Sequence, residues 1–244
     1  KLLLATGGHP IQLSNTPDGV INYRTRADYL KLRELVSSKS DFCVIGGGFI
    51  GSEISAALNK QGKLVTMIFP EAGISGLRFP DDLARFLNDY YREKGVTIHD
   101  GYLVKSISKQ QEKYHVEYQH ADEENQRREA FDVVIVGVGI KPNTYLAEEA
   151  GLDVDDGIVV NEFLQTSNPD VFAAGDVAYF YNPGLGKRVR VEHEDNANTM
   201  GTAAGRNMSG QMEKYEHFPF FYSDLFDLGY EAVGEMNTDF EIFE

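Results

Sequence analysis

The sequence predicts an α/β fold, and three features predict it. Short apolar runs at 42–45, 64–69, 133–136 and 171–174 have the length and composition of strands buried on both faces. A glycine-rich turn joins the first run to a stretch with apolar residues at helical spacing. Between residues 96 and 131, apolar and polar runs alternate in the manner of antiparallel strands separated by polar turns.

In chain order, the first residues read as the end of a strand running into Gly7-Gly8, and turn clusters occupy 7–10 and 15–19. Residues 26–38 form a short amphipathic helix through Leu30, Leu32, Leu35 and Val36. The run 42–45 is a strand, 49–61 a helix carrying Ile50, Ile54, Ala57 and Leu58, and Gly62 its stop. With the strand 64–69 this makes a βαβ unit. Residues 81–94 form a helix with Leu83, Phe86, Leu87 and Tyr90 on one face. Runs at 96–98, 103–107 and 114–118 belong to three or four antiparallel strands, with 121–128 as their exposed, charged tip. The strand 133–136 ends in Gly137-Val138-Gly139. A short helix near 144–150, a strand at 158–160, the strand 171–174 and a helix over 194–209 follow, and the end is aromatic.

Composition sets bounds. The 244 residues make one or two domains, and 42% hydrophobic content argues against disorder. Lys plus Arg is 23 against 38 Asp plus Glu, a net charge of −15, the wrong sign for a general nucleic-acid binder. No run approaches the roughly 20 apolar residues of a membrane span. Cys43 is the only cysteine, so neither an intrachain disulfide nor a multi-cysteine zinc site can form within this sequence, and the compartment, cytoplasmic or mitochondrial, stays open. The chain starts without Met and does not read as a signal peptide, so a piece of a longer protein is expected.

Gly46-Gly47-Gly48-Phe49-Ile50-Gly51 satisfies G-x-G-x-x-G between a strand and a helix. Gly46 permits the tight turn, Gly48 lets backbone approach a diphosphate, and Gly51 lets helix pack on strand. The helix start offers N–H groups and partial positive charge to that diphosphate. Glu71 lies about 20 residues on, the distance for a carboxylate that binds ribose hydroxyls and repels a 2′-phosphate. No arginine directly follows the strand, Arg78 being the nearest, which points to NAD over NADP. Gly139 ends a buried strand where a ligand can pass, or marks a plain strand-to-loop turn. Asp176, delivered by 171–174, can accept from a polyol such as a ribityl chain or cap a helix. His193, between acids, fits a proton shuttle, a stacking residue or a structural role, and its surroundings lack metal spacing. Tyr222 and its aromatic neighbours fit ordinary core or the cover of a flat ring. No nucleophile elbow, P-loop or H-E-x-x-H occurs.

In order, the Gly-Gly-Gly-Phe-Ile-Gly-Ser-Glu block, Phe-Pro-Glu, Val-Gly-Ile-Lys-Pro-Asn, Ala-Ala-Gly-Asp, Val-Glu-His-Glu-Asp and Tyr-Ser-Asp-Leu resemble the FAD- and NAD-dependent pyridine nucleotide-disulfide oxidoreductase superfamily. Within it the sequence is similar to the apoptosis-inducing factor group, related to ferredoxin and rubredoxin reductases. The resemblance implies a Rossmann-type NAD domain, with an antiparallel β insertion, set inside a split FAD domain. Residues 1–36 and 145–221 would be FAD-domain pieces, 37–144 the NAD domain and 222–244 the start of a C-terminal domain. It further implies that Gly46, Gly47, Gly48, Phe49, Ile50 and Gly51 line the NAD diphosphate and nicotinamide, with Phe49 as an aromatic gate. Glu53 would sit near the nicotinamide amide, Glu71 on the adenosine ribose and Gly139 on the nicotinamide side. Asp176 would bind the FAD ribityl chain. Glu192, His193 and Glu194 would lie by the flavin, with Tyr222 and Glu231 at the nicotinamide edge. Leu77 stands where the group often has Lys, Tyr222 where it has Trp, and Glu194 where it has a second His.

The implied activity is hydride transfer from NADH to FAD and on to an unidentified acceptor, with a homodimer among the possible assemblies and no side chain required as acid or base in the hydride step. The rival is a binding module in which NADH drives a conformational change and turnover is slow.

Overall fold

The computed structural model describes residues 1–238, 240 and 241. In chain order its elements are β1 (Leu2–Leu4), β2 (Gly8–Pro10), β3 (Ile21–Asn22), α1 (Arg26–Ser38), β4 (Asp41–Ile45), α2 (Phe49–Lys60), β5 (Leu64–Phe69), α3 (Asp81–Glu93) and β6 (Thr97–Asp100). There follow β7 (Tyr102–Gln110), β8 (Lys113–His120), β9 (Gln126–Phe131), β10 (Val133–Val136), β11 (Ile140–Pro142), α4 (Tyr145–Glu149), β12 (Val154–Asp155), β13 (Gly157–Val159) and β14 (Val171–Ala173). A 3-10 turn (Gly175–Val177), β15 (Ala178–Asn182), β16 (Lys187–Val189), α5 (Glu194–Met208), β17 (Phe220–Leu225) and β18 (Leu228–Val233) complete the chain.

The chain divides into two compact units. One comprises Pro10–Gly139 and Ser223–Gly229, with the described residues after 235. The other comprises Lys1–His9, Ile140–Tyr222 and Tyr230–Glu235.

The first unit is built on a five-stranded sheet in the order β3-β10-β4-β5-β6, every pairing parallel. Its central strands β4 and β10 carry the unbroken apolar runs 42–45 and 133–136 because both faces are covered. Cys43, Ile45, Ile68, Val134 and Val136 share one face with Tyr102, Ile107, Tyr114, Val116, Tyr118 and Phe131 of the antiparallel sheet β7-β8-β9. The alternate residues Phe42, Val44, Met67 and Ile135, all but excluded from solvent, face the helical side. There Ile54 and Leu58 of α2 are buried, and the Tyr91 hydroxyl of α3 donates to the Ser52 carbonyl oxygen at 3.0 Å. Burial pushes that phenol well above its ordinary range. The strand order reverses direction between β4 and β10, which makes a crevice beyond their C-terminal ends.

Three local expectations need correction. The run after Val96 is not part of the antiparallel block: as β6 it pairs parallel with β5 at the sheet's edge. The charged tip is shorter than expected, since β9 starts at Gln126 and its polar residues pair with Glu117–Gln119 while facing water. The covered face of α3 is Ala84, Leu87, Asn88 and Tyr91, whereas Leu83 and Phe86 are 41% and 53% exposed. The true stripe includes Asn88, a residue apolar periodicity passes over. Its amide accepts from Ile74 N at 3.0 Å and donates to the Ala72 carbonyl at 3.1 Å. The helix turns toward the loop after β5 to satisfy these groups.

In the second unit β1 pairs parallel with β14, and β12-β13-β15-β16 form a mixed sheet. Leu4, Phe172, Ala174, Val177, Phe180, Met200, Ala204 and Tyr215 make its core. The small residues of α5 admit the helix against β14 and the following 3-10 turn. Burial pushes the Tyr215 hydroxyl up to about 12.

One ionic joint fastens the strand starts of the first unit. Asp132 accepts from the Ser40 and Asp41 amides at 3.2 and 3.1 Å and pairs with Lys113 at 2.8 Å. The Lys113 ammonium is the leading cause that holds the Asp132 carboxyl below its ordinary range. A carboxyl so lowered adds stability above its unfolded-state pKa and loses it as pH falls through the folded one. Asp132→Asn should therefore cost about 1 kcal/mol of stability at pH 7, with the gap from the unmutated protein closing as urea melts are repeated down toward pH 3.

Candidate functional site

The C-terminal edge of the parallel sheet is built by close backbone approach. Gly46 leaves β4 at φ +113°, and its N–H donates to Ile68 O at 3.0 Å. A Cβ there would stand 2.3 Å from Gly137 O. A Cβ on Gly51 would stand 2.0 Å from Gly46 O, and one on Gly47 would stand 2.8 Å from the Phe69 ring. These contacts leave no room for a side chain. Gly48 differs: nothing lies within 4 Å of where its Cβ would be. It is the N-cap of α2, and no side chain caps that end. The first-turn N–H groups beyond it point out of the helix with the positive end of its dipole. Ser52 N returns to Gly48 O at 2.9 Å and closes the first turn.

The loop after β5 packs on this turn. Ser75, at φ +58°, donates its N–H to Gly47 O at 2.8 Å. Glu71 is half-buried, its backbone oxygen accepts from Gly101 N at 3.0 Å, and its Oε2 is buried without a hydrogen-bond partner. An acceptor left this way costs about 1–3 kcal/mol relative to one with a donor. Arg78 lies with its guanidinium 4.7 Å from the centre of the Phe49 ring. The sequence leaves Arg78 seven residues beyond Glu71 with no signal of a role. The turn through Gly73, Ser75 and Gly76 folds it back to the start of α2.

Ile50 is half-buried on α2, and its methyl lies 3.4 Å from where a Cβ on Gly137 would stand. Glu53, one turn above Phe49, is exposed, and its Oε1 accepts from the Ser223 hydroxyl at 2.5 Å. Gly139 ends the crevice at φ +100°, its oxygen accepting from Ile11 N at 2.9 Å. The structure thus gathers Gly46 to Gly51, Glu53, Glu71 and Gly139 within one unit, around the end of one sheet.

The remaining site residues lie in the other unit. His193 is the N-cap of α5, with Nδ1 accepting from Asp195 N at 3.4 Å. Its ring meets Tyr222 edge-on at 4.8 Å, and the Tyr222 hydroxyl donates to Glu194 at 2.6 Å. His193, Glu194 and Tyr222 therefore form one group. Glu192 is held elsewhere, by the nearly buried Arg190 at 2.5 Å, which also donates to the Asp176 carbonyl at 3.3 Å. Asp176 sits in the 3-10 turn after β14. Glu231 is exposed on β18 and makes none of these contacts. Arg190 was not visible as a site residue in the sequence: it lies in a plain charged stretch, and only its burial distinguishes it. Among the described residues no group of three His, Cys, Asp or Glu could hold a metal ion, and no helix is long and apolar enough to cross a membrane.

Known proteins share this arrangement of strand, glycine turn and helix. The sequence pattern of the pyridine nucleotide-disulphide oxidoreductases matches residues 1–201. The chain belongs to that family. It is 39% identical over 257 residues to an apoptosis-inducing factor 1, mitochondrial, of Dictyostelium discoideum, covering 100% of this chain and 48% of the relative. Its fold matches a ferredoxin reductase from Rhodopseudomonas palustris with a TM-score of 0.88 at 29% identity, over 96% of this chain and 58% of that one. It also matches a water-forming NADH oxidase from Lactobacillus brevis, solved bound to NADH, with a TM-score of 0.86 at 26% identity, over 96% and 52%. The chain spans about half the length of these relatives.

The crowding at Gly51 carries a prediction. Gly51→Ala drives a methyl into the Gly46 carbonyl and should destabilise the chain by roughly 2 kcal/mol or more, read as a lower urea midpoint.

Proposed function

We propose that this chain serves an NADH-dependent flavoprotein oxidoreductase, in which hydride passes from NADH to FAD and electrons continue to an acceptor. The observation that carries the reading is the pair formed by Glu71 Oε2, buried without a partner, and the open approach over Gly48. A dinucleotide satisfies both at once. Its diphosphate meets the uncapped start of α2, and an adenosine ribose offers two hydroxyl donors to Glu71. A 2′-phosphate brings negative charge and no such donors, so NAD is favoured over NADP. The Arg78 cation adds positive charge beside the helix start. Glu53, one turn up α2, is the acceptor for the nicotinamide carboxamide, and Gly139 lets the ring pass close to the backbone.

The flavin, when bound, supplies the hydride acceptor and the redox chemistry. The residues for it are Asp176 toward the ribityl chain and the group of His193, Glu194 and Tyr222 toward the ring, on a frame from 1–9 and 145–221, since residues 10–36, expected in that frame, cluster with the parallel sheet instead. Arg190 fits this role as well, since its buried guanidinium offsets the charge of Glu192. The protein positions two cofactors and excludes water, and no side chain transfers a proton in the hydride step. The three relatives carry the names of a death factor, a ferredoxin reductase and an oxidase. They do not agree on an acceptor, and the similarity to the first supports a second reading, a slow NADH-responsive sensor.

An anaerobic NADH titration of the flavin-loaded protein tests the proposal. Bleaching of the flavin bands is expected, and fast turnover with added acceptors selects the enzyme over the sensor. Two variants separate ligand binding from folding. Glu71→Ala removes a buried unpaired acceptor, so the melting temperature should hold or rise while the NADH KM increases about tenfold and kcat stays within about twofold. Gly48→Ala should cost under about 1 kcal/mol of stability yet weaken NADH at least tenfold, since its methyl occupies the space the diphosphate needs. An unaltered KM in both would remove the dinucleotide from this edge.

A further inference from the structure

The tip of the C-terminal hairpin, residues 223–229, clusters with the nucleotide unit although it lies beyond the residues 1–201 that carry the family pattern. It is fastened there at four points. The Phe226 ring is buried, edge-on to Tyr91 at 4.9 Å and to Tyr90 at 5.9 Å. Lys60 Nζ donates to the Phe226 carbonyl oxygen at 2.7 Å, and Lys94 pairs with Asp227 at 2.6 Å. The fourth point is Ser223, 4% exposed, whose hydroxyl donates to Glu53 Oε1 at 2.5 Å. The first three suffice to dock the tip on α2 and α3. The fourth acts on a carboxylate that is otherwise exposed on the open side of α2.

An exposed glutamate samples several rotamers and loses that side-chain entropy when a ligand fixes it. A buried hydroxyl that already holds one carboxylate oxygen removes much of that cost and leaves the other oxygen for an N–H donor. We propose that Ser223 is a positioning residue: it pre-sets Glu53 to accept from the nicotinamide carboxamide, so the hairpin tip tunes affinity for the redox end of the dinucleotide and not for its adenosine end. This rests on the dinucleotide reading above.

Three probes separate the two ideas on the full chain: NADH, its 3-acetylpyridine analogue, in which an acetyl group without N–H donors replaces the carboxamide, and ADP-ribose, which lacks nicotinamide altogether. Ser223→Ala should weaken NADH about five- to tenfold, a loss typical of one hydrogen bond to a charged group. It should leave ADP-ribose and the analogue within about twofold, so that preference for NADH over the analogue falls. In a Glu53→Ala background the same change should add nothing further. Equal weakening of NADH and ADP-ribose would assign Ser223 to folding alone, and unaltered NADH affinity would leave it no role; either overturns the proposal. Failure of the unmutated chain to bind ADP-ribose as well as NADH would instead strike the dinucleotide reading itself.

Discussion

The nucleotide edge depends on one steric constraint: three backbone segments meet where no side chain fits. The end of β4, the first turn of α2 and the end of β10 approach until Cβ atoms at Gly46 and Gly51 would lie within 2.3 Å of carbonyl oxygens. This contact sets the angle at which α2 leaves the sheet, and so the direction of its first-turn amides. The loop of Glu71 is then tied to the same point through Ser75 and Gly47, and Asn88 holds it from behind. An acceptor oxygen without a partner persists there because the surrounding packing determines its place. The rest of the unit, with its two covered sheet faces, supplies the stability that holds this arrangement.

Family membership explains the frame and leaves the chemistry to particular residues. Several of those residues are also held by partners within the protein. Glu192 pairs with Arg190 at 2.5 Å. The Tyr222 hydroxyl donates to Glu194 beside His193. The ring of His193 is kept in place by the edge-on Tyr222 ring.

Much of the fold was legible in the chain. The strand 64–69 and the helix starting at Phe49 appear at their expected positions because long apolar runs, Gly62 and the glycine turn leave few alternatives. The glycines of the turn were readable for the same reason, since each answers a local steric demand. Features set by tertiary pairing were not legible. Thr97–Asp100 has the alternation of an antiparallel strand, yet a parallel neighbour claims it. Asn88 turns α3 away from its most apolar stripe to satisfy a loop. Arg78 reaches Phe49 only through a turn in which a serine takes a left-handed conformation. The link from Ser223 to Glu53 spans 170 residues of sequence, and no local pattern announces it.

The fully buried Cys43 sits in the central strand of the parallel sheet, and desolvation raises its thiol well above the ordinary range. A neutral, shielded sulfur is a poor nucleophile, so it is insulated from peroxide and from passing electrons alike. Thiol-reactive dyes should reach it only when the sheet parts. The molecule thus contains its own reporter for opening of the innermost layer, silent while the fold is closed.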